Sequence, residues 1–301
     1  MTDLSDDAVA RLKRAVERPD FSQTRYELTG ELGRGGMGLV YEARDRALDR
    51  RVAVKVLAAE LSSPSDLERL RLEARTVAGL EHPGIVPVHD FGELPDGRLF
   101  YAMKLVRGAR LDAWAAAEPM AERLRVFLRV CEAVGFAHAN GIVHRDLKPE
   151  NVMVGEFGAV LVMDWGLAMA RRDPDPPGVV GGTPGYMAPE QARGAPAEPS
   201  ADIYALGAIL EFLSGSPPAP APRSLAAVSR IARSDDPAER YSTAGALADE
   251  VSRFLAGESP RAYRESLLER VARFVGRHRA LLAIVAAYLV MRGIVFLAFR
   301  R

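Results

Sequence analysis

The sequence predicts an α+β chain of two lobes, a small β-rich lobe followed by a larger helical one. Three observations lead there. Residues 26–56 alternate apolar and polar positions around a glycine cluster, the period of half-buried strands. Residues 66–80 then place Leu67, Leu70, Ala74, Val77 and Leu80 at helical spacing, one helix set among strands. Beyond Gly108 the pattern turns predominantly helical. A chain of 301 residues is long enough for one such two-lobed domain, or for two small ones, with a sizeable core.

Taken in order, residues 6–17 read as a short amphipathic helix with Ser5 as N-cap, Val9, Leu12 and Val16 on one face, and Pro19 as terminator. The strand region 26–56 follows. His82-Pro83-Gly84 breaks the 66–80 helix, and residues 85–91 and 98–106 read as two further strands. Helices are expected over 111–117 and 121–140, the longer one carrying Leu124, Leu128, Cys131 and Gly135 on one face and stopping at Gly141. Residues 142–164 hold short strands and polar loops. Asp173-Pro174-Asp175-Pro176-Pro177 marks a loop, residues 203–213 a strongly apolar helix, and residues 216–222 a proline-rich loop. Helices over 224–233 and 243–255 complete the lobe. No internal repeat is visible.

Apolar residues make up 48% and charged residues 27%, the balance of a globular chain. Lys plus Arg and Asp plus Glu both number 40, so nothing in the overall charge points to nucleic acid, and no nucleic-acid partner is expected. The local balance differs: residues 258–301 hold nine Arg against three Glu. The single cysteine, Cys131, excludes an intrachain disulfide and favours a reducing setting. Residues 1–10 carry three Asp and no apolar run, unlike a signal peptide.

Gly33, Gly35 and Gly38 form G-x-G-x-x-G, flanked by Leu32 and Val40. Glycine lets a backbone approach phosphates closely and offer them N–H groups. Alone the signal is weak, since a glycine-rich turn or a dinucleotide site would match it too. The dinucleotide motif opens a helix, whereas residues 39–43 read as a second strand, which favours a hairpin laid over phosphates. Val52-Ala53-Val54-Lys55 follows, at a spacing that lets the Lys55 ammonium reach phosphate oxygens, and Glu73 on the next helix can pair with it. The decisive stretch is His144-Arg145-Asp146-Leu147-Lys148-Pro149-Glu150-Asn151, followed by Asp164-Trp165-Gly166 and Ala188-Pro189-Glu190. Asp146 is a carboxylate suited to accept a hydroxyl proton, and Lys148 a cation for a transferring phosphoryl group. Asn151 and Asp164 are hard oxygen donors suited to Mg²⁺.

In this order, these motifs resemble those of the eukaryotic-type Ser/Thr protein kinases of bacteria. The resemblance covers residues 26–255, about three quarters of the chain. It implies the bilobal protein-kinase fold over 26–257, with an N-lobe over 26–106, a C-lobe over 107–257, and a helix and linker over 1–25. It implies ATP and Mg²⁺ as cofactors and a protein bearing Ser or Thr as substrate. Gly33, Gly35 and Gly38 would cover the phosphates, with Leu32 beside them. Lys55 and Glu73 would form the activating ion pair. Asp146 would be the catalytic base, and Asn151 and Asp164 the magnesium ligands. Val40, Ala53 and Met153 would sandwich the adenine, Met103 would lie behind it, and the backbone of Lys104 and Val106 would bond it. Asp202, opening the 203–213 helix, would hold the His144-Arg145 backbone, and Arg240 would pair with Glu190. Thr183 resembles the threonine that contacts Asp146 and Lys148 in Ser/Thr-specific kinases.

The chain departs from that pattern in places. Trp165 replaces the usual Phe, either as a tolerated aromatic in the packed interior or as the mark of an altered inactive conformation. Lys104 stands where an acidic residue is common. Residues 167–182 contain no Ser, Thr or Tyr, where an activating phosphate usually sits, although its usual partner Arg145 is present. The stretch 215–240 is short and proline-rich where the family has a longer loop and an extra helix. That shortening leaves a second reading, a pseudokinase that holds ATP or partners without chemistry. It would be marked by loss of Lys55, Asp146 or Asp164, and all three are present. A small-molecule phosphotransferase of similar fold fits less well, because residues 182–186 and 188–190 resemble a peptide-binding loop.

Residues 280–299 form a run with one charge, Arg292. Twenty helical residues span ~30 Å, the thickness of a bilayer core. A transmembrane helix is therefore expected there, with a buried or self-associating helix as the competing reading. A mid-membrane Arg costs ~2.5–3.5 kcal/mol, which eight or more large apolar residues at ~0.3–0.6 kcal/mol each can offset. Residues 258–279 combine Leu267, Leu268, Val271, Phe274 and Val275 on one face with Arg264, Arg270, Arg273 and Arg277, the pattern of a juxtamembrane helix on anionic lipid. The expected location is the cytoplasmic (inner) membrane, through a single C-terminal anchor, with the kinase lobes in the cytoplasm. A second copy of the chain is kept as a candidate partner.

Overall fold

The computed structural model describes residues 19–35, 38–57, 64–165, 169–170, 182–196, 198–215, 220–267, 269–271, 275 and 279–299. The expected helix over 6–17 and the proline loop over 173–177 lie outside them.

The small lobe is a five-stranded antiparallel sheet ordered β1-β2-β3-β5-β4. Its strands are β1 (Tyr26–Gly35), β2 (Gly38–Asp45), β3 (Arg50–Leu57), β4 (Val88–Glu93) and β5 (Leu99–Lys104). Helix α1 (Pro64–Ala78) packs on β4 and β5. β1 and β2 pair to Gly35↔Gly38, so the glycine motif is a hairpin and not a strand-to-helix turn. One face of the sheet buries Phe21, Tyr26, Leu39, Tyr41 and Phe100, and the other contributes Ala53, Leu57, Tyr101 and Met103 to the main core. The strand expected at Ile85 starts three residues later, at Val88. Pro87 has no N–H to give a ladder, and Ile85 makes only an isolated bridge to Val162.

The large lobe opens with β6 (Gly108–Arg110), α2 (Leu111–Ala115) and α3 (Met120–Ala139). At β6, Gly108 has φ +156°, and a Cβ there would lie 2.1 Å from the Val154 carbonyl oxygen, so no larger residue fits. Short strands β7 (Ile142–Val143), β8 (Val152–Gly155), β9 (Val160–Val162) and β10 (Met169–Ala170) frame the polar loops, with β6-β8-β9 in one sheet and β10-β7 in another. Helices α4 (Pro189–Ala192), α5 (Pro199–Ser214), α6 (Arg223–Ala232) and α7 (Ala244–Leu255) follow. α3 packs against α5 and α7, burying Leu124, Phe127, Val130, Cys131 and Val134. Thr243 caps α7, its hydroxyl accepting from the Ala246 N–H. Glu250 of α7 accepts from the Ala262 N–H at 2.9 Å, and Pro260 is buried, so residues 258–262 are tied back to the lobe.

Helix α8 spans Arg279–Phe299, 21 residues. Its described side chains, from Leu282 to Gly293, are all exposed, Ile284, Tyr288, Leu289, Val290 and Met291 among them. Among the described residues no helix is long and apolar enough to cross a membrane. The bilobal α+β fold is present. The transmembrane part of the expectation is not established by the fold.

Candidate active site

The site lies between the lobes, and each wall rests on a simple local rule. In the small lobe, Lys55 on β3 and Tyr101 on β5 are register partners. Directly opposed residues leave a sheet on the same face, here the face that meets α1. Glu73 of α1 is buried against both. Lys55 Nζ donates to Glu73 Oε1 at 2.8 Å and to Asp164 Oδ1 at 2.9 Å. The Tyr101 hydroxyl donates to the same Glu73 Oε1 at 2.8 Å. Burial disfavours the Lys55 ammonium, but Tyr101, Glu73 and Asp164 outweigh it and hold the amine well above its ordinary range. Burial and then Glu73 push the Tyr101 hydroxyl well above its own range, so it remains an O–H donor. Lys55 in turn holds the half-exposed Asp164 carboxyl below the ordinary carboxylate range, against the effect of burial.

In the large lobe the loop between β7 and β8 carries the polar groups. Arg145 sits at φ +73° and Asp164 at φ +55°, left-handed backbone that non-glycine residues adopt only when their surroundings hold them there. Asp202 does so for Arg145. Its two oxygens accept the backbone N–H of His144 and of Arg145, each at 2.8 Å, and His138 Nε2 lies 2.8 Å from Oδ2. Burial opposes the Asp202 charge, yet the His138 bond, the two histidines and the backbone N–H groups keep its carboxyl below the ordinary range. Gln191 Nε2 donates to the Arg145 carbonyl at 2.6 Å, closing the other side of the loop. α5 starts at Pro199, so Asp202 stands in its first turn and does not open the helix as expected.

Three side chains then close a ring. Lys148 Nζ donates to Asp146 Oδ2 at 2.8 Å and to Thr183 Oγ1 at 2.7 Å, and Thr183 Oγ1 donates to Asp146 Oδ1 at 2.8 Å. Asn151 Nδ2 donates to the Asp146 carbonyl at 2.8 Å and to Asp146 Oδ2 at 3.2 Å, which leaves the amide oxygen as its remaining acceptor. Trp165, 1% exposed, donates from Nε1 to the Val162 carbonyl at 3.2 Å and rests on His144 with ring centroids 4.6 Å apart. The larger aromatic is thus packed and hydrogen-bonded while Asp164 faces Lys55. Below the site, Arg240 meets Glu190 through two bonds of 2.6 and 2.7 Å.

The positions expected around adenine also converge. Ala53 and Met103 are register partners and both are buried. Val40 and Val106 pack against the same core, and Met153 is half-buried on β8. Leu32 is exposed on the hairpin. The Lys104 side chain is exposed and its N–H is committed to the Pro87 carbonyl at 3.0 Å, so a backbone bond from Lys104 to a base would come from its carbonyl. The donor set fits magnesium: one amide oxygen and one half-exposed carboxylate are hard oxygens, and Mg²⁺ completes its shell with phosphate and water. Among the described residues no group of three or more His, Cys, Asp or Glu is arranged to hold a metal.

The sequence reading missed three residues of the site: Tyr101, Gln191 and His138. Strand alternation could have marked Tyr101 as inward-facing, though not as the partner of Lys55, and its place directly after Ala188-Pro189-Glu190 could have marked Gln191. His138 carries no local signal, since its partner Asp202 is far along the chain.

The pattern of the protein kinase domain matches residues 26–256. The chain belongs to the protein kinase family. This family member is 40% identical to the serine/threonine-protein kinase PknA of Mycobacterium tuberculosis, over 78% of this chain and 62% of that protein. It is 40% identical to the serine/threonine-protein kinase PknB of the same species, over 81% of this chain and 45% of that protein. The chain therefore spans less than two thirds of the length of these relatives. Among solved structures it resembles the Mycobacterium tuberculosis PknI kinase domain, with a TM-score of 0.61 and 29% identity, covering 76% of this chain and 96% of that one.

Proposed function

We propose that this chain is a serine/threonine protein kinase that transfers the γ-phosphate of Mg²⁺-bound ATP to a hydroxyl on a protein substrate. The observation that carries the reading is the closed Asp146–Lys148–Thr183 ring beside the Lys55–Glu73–Asp164 chain. A carboxylate has about four lone-pair directions, so Asp146 can still accept a bond from an incoming hydroxyl and take its proton. Lys148 stands next to that oxygen and offsets the charge of the phosphoryl group in transit. Thr183 joins the two and sets their spacing, and its place in the Gly182–Tyr186 loop couples them to the segment that would receive a peptide. Lys55, fixed by Glu73, orients the α- and β-phosphates, and the β1–β2 glycine hairpin covers them. Asn151 and Asp164 would hold Mg²⁺. Magnesium-bound ATP supplies the transferable group and the neutralising charge around it. The catalytic work of the chain is positioning and electrostatics. The similarity to PknA and PknB supports Ser/Thr over Tyr as acceptor.

The same proposal places the chain at the cytoplasmic membrane through residues 280–299, with the lobes in the cytoplasm and residues 264–279 of the basic segment 258–279 on anionic lipid, since Pro260 and Ala262 pack on the lobe. What supports it is the near-uncharged run, the helical backbone of α8, and the outward apolar side chains that neither lobe covers. Two copies meeting through these helices would shield Arg292.

Incubation of the purified chain with labelled ATP, Mg²⁺ and a generic protein substrate tests the chemistry. Label on phosphoserine and phosphothreonine is expected. Nucleotide binding with no transfer to any substrate would favour the scaffold reading instead.

A further inference from the structure

We propose that Tyr101 is a positioning residue that holds Glu73, and with it helix α1, in place for Lys55 without help from a phosphorylated loop. This rests on the kinase reading above. Lys55 and Tyr101 approach one oxygen, Glu73 Oε1, each at 2.8 Å. The other oxygen, Oε2, is buried and has no hydrogen-bond partner among the described residues. The carboxylate is thus held at a single atom by two donors from neighbouring strands, and α1 is latched to the sheet through that atom. A Phe at 101 would pack equally well and leave Lys55 as the only donor.

The sequence supplies the reason for a second donor. Residues 167–182 contain no hydroxyl able to carry a phosphate, so a phosphorylated side chain there cannot set the position of α1. A hydrogen bond from a buried hydroxyl to a carboxylate shifts an equilibrium by about tenfold or more, which is the size of a bias between two placements of one helix. The Tyr101 bond supplies that bias from inside the fold, in every copy of the chain and without modification.

Tyr101→Phe tests the proposal in the full chain. Amide hydrogen exchange of α1 and of α3 is followed in wild type and variant without nucleotide, together with kcat and KM for ATP. The expected result is α1 exchange faster by about tenfold or more, in line with the loss of ~1.5 kcal/mol or more. α3 should be unchanged, and kcat/KM for ATP should fall by a similar factor. Tyr101→Phe should have no added effect on α1 exchange in a Glu73→Met background, which has no oxygen to accept the Tyr101 bond. Unchanged α1 exchange in the single variant, or equal loosening of α1 and α3, would overturn the proposal. The exchange reads the latch even if wild type transfers no phosphate, an outcome that defeats the kinase reading alone.

Discussion

Asp202 shows how one side chain sets the geometry of a loop whose acceptor carboxylate, Asp146, it does not touch. Its carboxylate accepts two consecutive backbone N–H groups and faces His138, and so keeps Arg145 in left-handed backbone next to Asp146. Because its folded pKa is lowered, its contribution to stability is present above the unfolded carboxyl value, ~3.9. That contribution is lost as pH falls through the lower folded value. Asp202→Asn should therefore be less stable than wild type at pH 6, and the gap should shrink below about pH 4. Chemical denaturation at both pH values measures it, and a gap independent of pH would remove the charge from this account. Such residues differ in how far the sequence exposes them. Asp146, Lys148 and Asn151 lie within one short motif whose chemistry is local, so they can be read directly. Tyr101 acquires its role only from the β3–β5 register and the placement of α1, neither of which a single strand encodes.

At the scale of elements, most helices and strands follow from periodicity, and the exceptions have physical causes. α5 begins at Pro199, earlier than its apolar run suggests, because its first turn, Pro199-Ser200-Ala201-Asp202, is polar and proline-started. β4 begins late because Pro87 precedes it. The helix expected over 111–117 stops at Ala115, where the N–H groups of Ala117 and Glu118 turn back to Trp114 and Ala115. The segment 167–182 makes a prediction of its own. It has no phosphate acceptor, so activity should survive treatment with a phosphatase. Specific activity before and after treatment, with mass spectrometry of any phosphosite, is the check. A large loss traced to a site elsewhere would show that the chain depends on modification after all.

The whole molecule joins a two-lobed kinase-family body to a helix whose described side chains are exposed and mostly apolar. Glu250 and Arg253 bond Ala262 and Ser259, and Pro260 is buried, so the start of the connector is bound to the C-lobe. Cells expressing the full chain and a version ending at Gly276 separate the readings of that helix. The full chain should resist carbonate and high salt, and the shorter one should be released. Release of the full chain by salt alone would favour a self-associating helix. Phosphoryl transfer itself is probed by Asp146→Asn, because Asn keeps the shape and loses the proton acceptor. With wild type and variant compared for turnover on a protein substrate and for Mg²⁺–ATP affinity, kcat should fall by about 10²–10⁴-fold while nucleotide affinity stays within about threefold, a shift of ~0.65 kcal/mol. Near-normal turnover by Asp146→Asn would mean that Asp146 is not the proton acceptor.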